Sequence, residues 1–531
     1  MKALYRMVMV LVLLGLILAA CAPAETATPE GTPTKAPAPP TATPVPTPGP
    51  HGTLVIAGTV SLDFNPMNMI AAYSYGLPVF DGLVWPGEKG VLEPRLATSW
   101  KLLDDKVTWE FKLREGVTFQ NGEPFNAESV KYTVDKVLNE KLRWYSYVAT
   151  IEEVKIVDDY TVHVVTYEPD PLLPGRLMLF MLPPKGVEEA GGLDEFSKKP
   201  VGTGPYMVVE FLPAEHILYE YWPDSWRHGV VGAPDKPLEI EWVHMPDLAA
   251  RMAALRAGDV DVVDKMTFDQ IEPLEKEGFT TTHSREASPS LVLLDVFSED
   301  SPFRDKRVRH AVNYAIDKET LVNDLLLGIE VVPGQTLGPD GFGYNPDIEA
   351  YPYDPEKAKQ LLAEAGYPDG FDTTLECWAG YLSIGETAAE AVAGQLKEVG
   401  INAEIVPIEG AVWLQELYGG GRAPMWMTWA NYLPLYDADF SYRWFWGKAQ
   451  PAPSRYMENE QFDELFEASR RELDSDKRLA MLQEMATIIH EEAPVIFLYF
   501  QGNVLAMNPR VKGLVYNADQ MFYLDFVSLE E

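Results

Sequence analysis

Between residues 411 and 447 the chain reads AVWLQELYGGGRAPMWMTWANYLPLYDADFSYRWFWG. Trp413, Trp426, Trp429, Trp444 and Trp446 stand there with Tyr418, Tyr432, Tyr436, Tyr442 and Phe445, and Asn431, Asp437 and Asp439 lie among them. Flat apolar faces with a few placed polar groups are what a small-molecule cleft needs. The same rings also fill the cores of large domains, so the segment reads as part core and part cleft. The candidate ligand contacts are Trp426, Trp429, Asn431, Tyr432, Tyr436, Asp437 and Trp444.

Groups for covalent chemistry are scarce. No Walker loop occurs. GFGYNP (341–346) lacks the third glycine of a dinucleotide loop and runs into proline; VGTGPY (201–206) lacks it too. HEEAP (490–494) lacks the second histidine of a zincin helix, and no serine occupies a G-x-S-x-G elbow. Asp259 and Asp261 share one face of a short strand, with Asp264 close by, which is not the loop a calcium ion requires. The expectation is a binding protein with no catalytic residue, no metal and no cofactor. A net charge of −37 repels nucleic acid, which is excluded as a partner.

One of the two cysteines, Cys21, follows a positive start (Lys2, Arg6) and an apolar run from Met7 to Ala20. Fourteen residues suit an export signal and fall short of the roughly 20 of a membrane span. Small residues ending in Cys21 are similar to a bacterial lipobox, in which the thiol takes a lipid; an ordinary cut near Ala20 is the alternative. Residues 22–50 hold ten Pro and seven Thr and show no apolar periodicity, so they form a stiff spacer of up to roughly 90 Å. This predicts a signal peptide over 1–20, a lipidated Cys21 with a linker over 21–51, and a body held at the outer face of the cell membrane. With Cys21 lipidated, Cys377 has no partner for a disulfide.

The elements that must position the aromatic segment are legible by period. TLVIAG (53–58) is a short strand. VTWEFKLREGV alternates, with Val107, Trp109, Phe111 and Leu113 on one face. Asn126 caps a helix whose stripe is Val130, Val134, Val137 and Leu138. Residues 152–167 form a hairpin turning at Asp158-Asp159, and Asp247 caps a helix closed by Gly258. Asp354-Pro355 starts another, stopped by Gly366. A helix closed by Gly400 leads into the strand INAEIVPI, and two late helices precede PVIFLYF (494–500), apolar enough for a central strand. Helix, glycine and strand in repetition predict an α/β body.

Several stretches resemble the family 5 extracellular solute-binding proteins, which serve peptide-type ABC importers. LEPRLATSWKLLDDKVTWEFKLREGVTFQNGEPFNAESVKYTVDKVL (92–138) is similar to their most distinctive segment. PVGTGPYMVVEF (200–211), RMAALRAGDVDVV (251–263), FRDKRVRHAVNYAIDKETLV (303–322) and YDPEKAKQLLAEAGYPDGF (353–371) match further family segments. The resemblance implies a bilobal, periplasmic-binding-protein-like α/β fold of class II (cluster C) with an extra inserted domain. Lobe I would take 52–87, 200–287 and 493–531, the inserted domain 88–199, and lobe III 288–492, with hinge crossings near 288 and 492. It further implies a monomer that captures peptide by lobe closure and hands it to an ABC permease and its ATPase; oligosaccharide binding and sensing are the alternatives. In peptide binders of the family an Asp in a W-x-A-D-Y-like segment pairs with the ligand's α-amino group. Here TWANYL (428–433) puts Asn431 there, and an amide supplies no negative charge; Asp437 is the nearest substitute, at a different spacing.

Overall fold

A computed structural model describes residues 50–58, 64–67, 73–87, 90–232, 236–283, 288–378, 384–409, 412, 423–430, 435–445, 457–516 and 521–530, without the side chains of 73, 444 and 445. The export signal, Cys21 and the Pro/Thr tract lie outside them, as do Asn431 and Tyr432.

The body opens with β1 (Thr53–Gly58), the expected apolar run. Four antiparallel strands follow: β2 (Ala97–Leu102), β3 (Thr108–Leu113), β4 (Ile151–Asp158) and β5 (Thr161–Thr166). The alternation read in the sequence puts Phe111 and Leu113 of β3 in the core. The hairpin β4–β5 turns where Asp158 accepts from Tyr160 N at 2.9 Å. The chain then returns through β6 (Tyr206–Leu212), β7 (His216–Tyr221), β8 (Glu239–His244), β9 (Val262–Met266) and β10 (Thr280–His283). A further set comprises β11 (Ser288–Leu294), β12 (Phe371–Trp378), β13 (Ile401–Ile408), β14 (Met425–Trp429) and β15 (Val495–Gln501), before β16 (Val504–Met507) closes the circuit.

Among the described residues these strands form three large sheets. The seven-stranded one has the order β10-β16-β9-β1-β8-β7-β6, the five-stranded one β13-β12-β14-β11-β15, and the four-stranded one β2-β3-β5-β4. β1 runs parallel to β8 and β9, and β12 parallel to β13 and β14. Helices are set where the sequence signals them. Asn126 Oδ1 accepts from Glu128 N at 2.9 Å to start Ala127–Glu140. Asp354 caps Pro355–Glu364 through Lys357 N, also at 2.9 Å. Each cap satisfies a backbone donor that the first helical turn leaves open.

The chain passes between the seven- and five-stranded sheets twice, from β10 to β11 and from β15 to β16. β10 and β16 are neighbours in one sheet, and β11 and β15 in the other. This corrects the sequence reading at two points. Val495–Gln501 pairs with β11, so the second crossing falls between 501 and 504 instead of near 492. The strand also sits at the edge of its sheet although all seven residues are buried. Its apolar run reflects cover on both faces by packed helices, which period alone does not distinguish from a central place.

One apolar cluster joins the seven-stranded sheet to the four-stranded one, from Leu54 and Ile56 through Phe111, Val130 and Val162 to Tyr219 and Trp242. Two others cover the faces of the five-stranded sheet. Val292, Leu294, Cys377, Met425 and Met427 point to one, and Leu291, Leu293, Trp426 and Phe497 to the other. Cys377 is a buried free thiol. A buried ion network ties the last strands' surroundings to the first sheet. Arg227 reaches Asp81 at 2.6 Å and Asp525 at 3.0 Å, and Arg95 reaches Asp525 at 3.5 Å.

Lys318 is buried beside the five-stranded sheet, its Nζ donating to Asn313 O at 2.5 Å and Tyr351 O at 3.4 Å. Burial pushes its ammonium down to about 7. The unfolded chain holds that proton up to about pH 10.4, so the folded state carries a penalty in full below pH 7 that fades as pH rises toward 10. Urea midpoints should therefore rise between pH 7 and about 9.5. Lys318→Met should reduce that slope, and an unchanged slope would assign the rise to other groups.

Candidate functional site

The strand registers bring the carboxyl ends of parallel strands from both sheets to the crossings. β9 is antiparallel to β16, with Met266 opposite Val504, so the carboxyl ends of β1, β8 and β9 lie at the crossings. In the other sheet β14 is antiparallel to β11, with Trp429 opposite Ser290, so the carboxyl ends of β12, β13 and β14 lie there too. Ligands of open α/β sheets bind outside the carboxyl ends of parallel strands. Here two such edges converge where the chain crosses.

On the five-stranded side the edge is aromatic. Trp378 ends β12 and Trp429 ends β14, and their rings stack with centroids 5.6 Å apart and planes 26° apart. Both are half-buried. Ser290, opposite Trp429, also stands opposite Tyr499, so three strands bring polar and aromatic groups to one level beside the crossings. Burial raises the Tyr499 hydroxyl to about 12, keeping it a neutral donor.

The remaining predicted contacts separate. Trp426, on the same strand as Trp429, is 1% exposed inside the apolar cluster against which the half-buried Trp378 and Trp429 rings also pack. Trp426 is thus a core residue, whereas Trp429 lies at the margin of that cluster with part of its ring open. Asp437 is also corrected: Arg478 holds both its oxygens, at 2.7 and 2.8 Å, in a buried bidentate pair. A carboxylate so neutralised is not offered to a ligand amine. Tyr436 is buried with a left-handed φ of 53°, its Cβ packed against Gly90. Trp444 lies on the helix Ala438–Phe445, with its side chain outside the described residues.

The segment 435–445 thus docks the five-stranded side onto the four-stranded side. Phe440 meets Tyr147 at 5.7 Å between ring centroids. Arg176, paired with Asp170 at 2.6 Å, also reaches Asp439 at 3.4 Å, and Arg470 reaches it at 3.2 Å. Burial pushes the Asp439 carboxyl up, but Arg176, Arg470 and Arg443 overcome this and hold it below its ordinary value. Sequence reasoning missed Trp378, Arg176 and Arg478. A hint existed for Trp378 alone, as the last residue of an alternating strand; Asp437 is 41 residues from Arg478, and Asp439 is 263 residues from Arg176.

Trp426 and Trp429 should behave oppositely. Trp426→Ala should lower stability by about 3–5 kcal/mol in urea unfolding, as expected for emptying a core site. Trp429→Ala should cost well under half of that and weaken ligand binding by about tenfold, the loss of a stacked ring face. Equal losses of stability would place both in the core.

Residues 91–452 match the family described as bacterial extracellular solute-binding proteins, family 5 Middle. A glutathione-binding protein (GsiB) of Pectobacterium atrosepticum is 27% identical over 453 residues, 82% of this chain and 85% of that one. Heme-binding protein A of Haemophilus influenzae is 27% identical over 500 residues, covering 86% and 88%. Among solved structures, the ABC transporter-associated periplasmic binding protein DppA of Helicobacter pylori, in complex with the peptide STSA, superposes with a TM-score of 0.78 at 26% identity. That match covers 91% of this chain and 98% of the other.

Proposed function

The chain belongs to the family 5 bacterial extracellular solute-binding proteins, with their bilobal α/β fold, and from that premise we propose that its ligand is a short peptide. As a member it serves an ABC importer by binding solute outside the cytoplasm. The observation that carries the peptide reading is the convergence of two carboxyl edges at a double crossing, one of them bearing the stacked Trp378–Trp429 pair. A cleft of that form closes on an elongated guest by small backbone changes at the crossings. Capture then makes a closed face that a permease distinguishes from the open one. The relatives' names support the reading: one binds glutathione, itself a tripeptide, and one was solved with a tetrapeptide.

The proposal extends to organisation. Lobe I takes β1, β6–β10 and β16; the inserted domain takes β2–β5; lobe III takes β11–β15. Cys21 carries the lipid and residues 22–50 are the spacer, so the receptor stays near its permease while the body, a monomer, samples solute. No helix among the described residues is long and apolar enough to cross a membrane. A second reading rests on the stacked indoles, which also suit the faces of sugar rings, and makes the ligand an oligosaccharide.

Thermal shift separates the two. A ligand that binds only the folded chain adds RT ln(1 + [L]/Kd), about 2.7 kcal/mol at a hundredfold excess over Kd. Tri- to pentapeptides should raise the melting temperature and neutral oligosaccharides should not. A rise with sugars alone would overturn the peptide reading.

A further inference from the structure

The carboxyl edge of the seven-stranded sheet carries a feature that neither the fold nor the ion networks use. Asp264 lies beside Gly58 in register, two residues before Met266 at the crossing, and is 6% exposed. Its Oδ1 has no hydrogen-bond partner among the described residues. Trp242, on the strand at the other side of β1, is 1% exposed, and its indole Nε1 is also without a partner. Both atoms face one point. A methyl group on Gly58 would lie 2.9 Å from Asp264 Oδ1 and 3.1 Å from Trp242 Nε1. The indole is fixed there by edge-on contacts with Tyr75 at 4.5 Å and Phe522 at 4.9 Å.

A buried acceptor and a buried donor left open together are costly to the fold. Burial raises the Asp264 carboxyl, and the charges of Lys265 and Arg251 offset this only in part. By contrast Asp261, three residues earlier, is fully engaged: Arg510 reaches each of its oxygens at 2.7 Å and Val55 N donates at 3.0 Å. Its neighbour's open oxygen is therefore not a general property of acids in this sheet.

We infer that Asp264 and Trp242, across the gap left by Gly58, form the subsite that receives a ligand's ammonium group, with Asp264 as its counter-charge and the Trp242 N–H donating to an adjacent carbonyl or hydroxyl oxygen. An α-ammonium and the first carbonyl of a peptide present that donor and acceptor about one hydrogen-bond length apart, and so does an amino sugar with its neighbouring hydroxyl. The carboxylate missing at Asn431 is thus supplied from the opposite lobe. In its peptide form this rests on the function proposed above.

Calorimetry on the full chain with four probes tests it: trialanine, N-acetyl-trialanine, the glucosamine trimer and its N-acetylated counterpart. A free-amine probe should bind, its acetylated partner should bind more weakly, and Asp264→Asn should weaken the amine by about tenfold or more, as for one partner lost from a buried charge pair. Gly58→Ala, which fills the gap and leaves the charge, should do the same. Ligand-free Asp264→Asn should melt no lower than the parent, because the open Oδ1 has no partner to lose and the amide removes a buried charge. Amine binding indifferent to Asp264→Asn, preference for the acetylated probes, no binding by any probe, or a lower melting temperature would each overturn the subsite. Binding of the glucosamine trimer without trialanine, lost in Asp264→Asn, would keep the subsite and sink the peptide reading. Trialanine binding unaffected by the variant would do the reverse.

Discussion

Two adjacent strands of one sheet become two adjacent strands of the other, and this double passage is the constraint on which the rest depends. Because β11 and β15 pair with each other, and β10 and β16 likewise, the crossings lie side by side. They form one seam and not two separate tethers. The same registers decide that the carboxyl ends of the parallel strands in both sheets meet there. A cleft between them is a consequence of topology; what fills it depends on a few side chains at the strand ends.

Those side chains divide the work. The five-stranded edge offers stacked rings and the seven-stranded edge offers polar atoms. Charged groups elsewhere are consumed internally. Arg478 and Asp437 neutralise each other, and Arg227 is shared between Asp81 and Asp525. Such buried pairs contribute little net stability compared with apolar replacements, but breaking one leaves an uncompensated charge. They fix how segments far apart in sequence seat against one another.

Local signals were legible because their physics is local. The Asn126 and Asp354 caps, the alternation through Phe111 and Leu113, and the helix ending before Gly258 each depend on neighbours within a few residues. The family was legible from segments with the same local content. What the sequence did not disclose depended on long-range pairing. The apolar strand 495–501 gave no sign of which sheet it joins, and that moved the second crossing. Asp437 looked available because its partner is 41 residues on, and Trp426 looked like Trp429 because their difference is depth within one cluster built from distant segments. Asp264 was weighed only with Asp259 and Asp261 as a metal ligand; its isolation is visible only once Gly58 is placed beside it.

The apolar cluster common to the seven- and four-stranded sheets has a mechanical corollary. Those two layers cannot part without exposing a continuous interior, so together they act as a stationary frame. A second cluster, from Ala57 and Val263 to Val292 and Met427, ties the five-stranded sheet to that frame. The segment carrying Phe440 and Asp439 is a second tie, and a transporter touching both it and the frame would register whether it is seated.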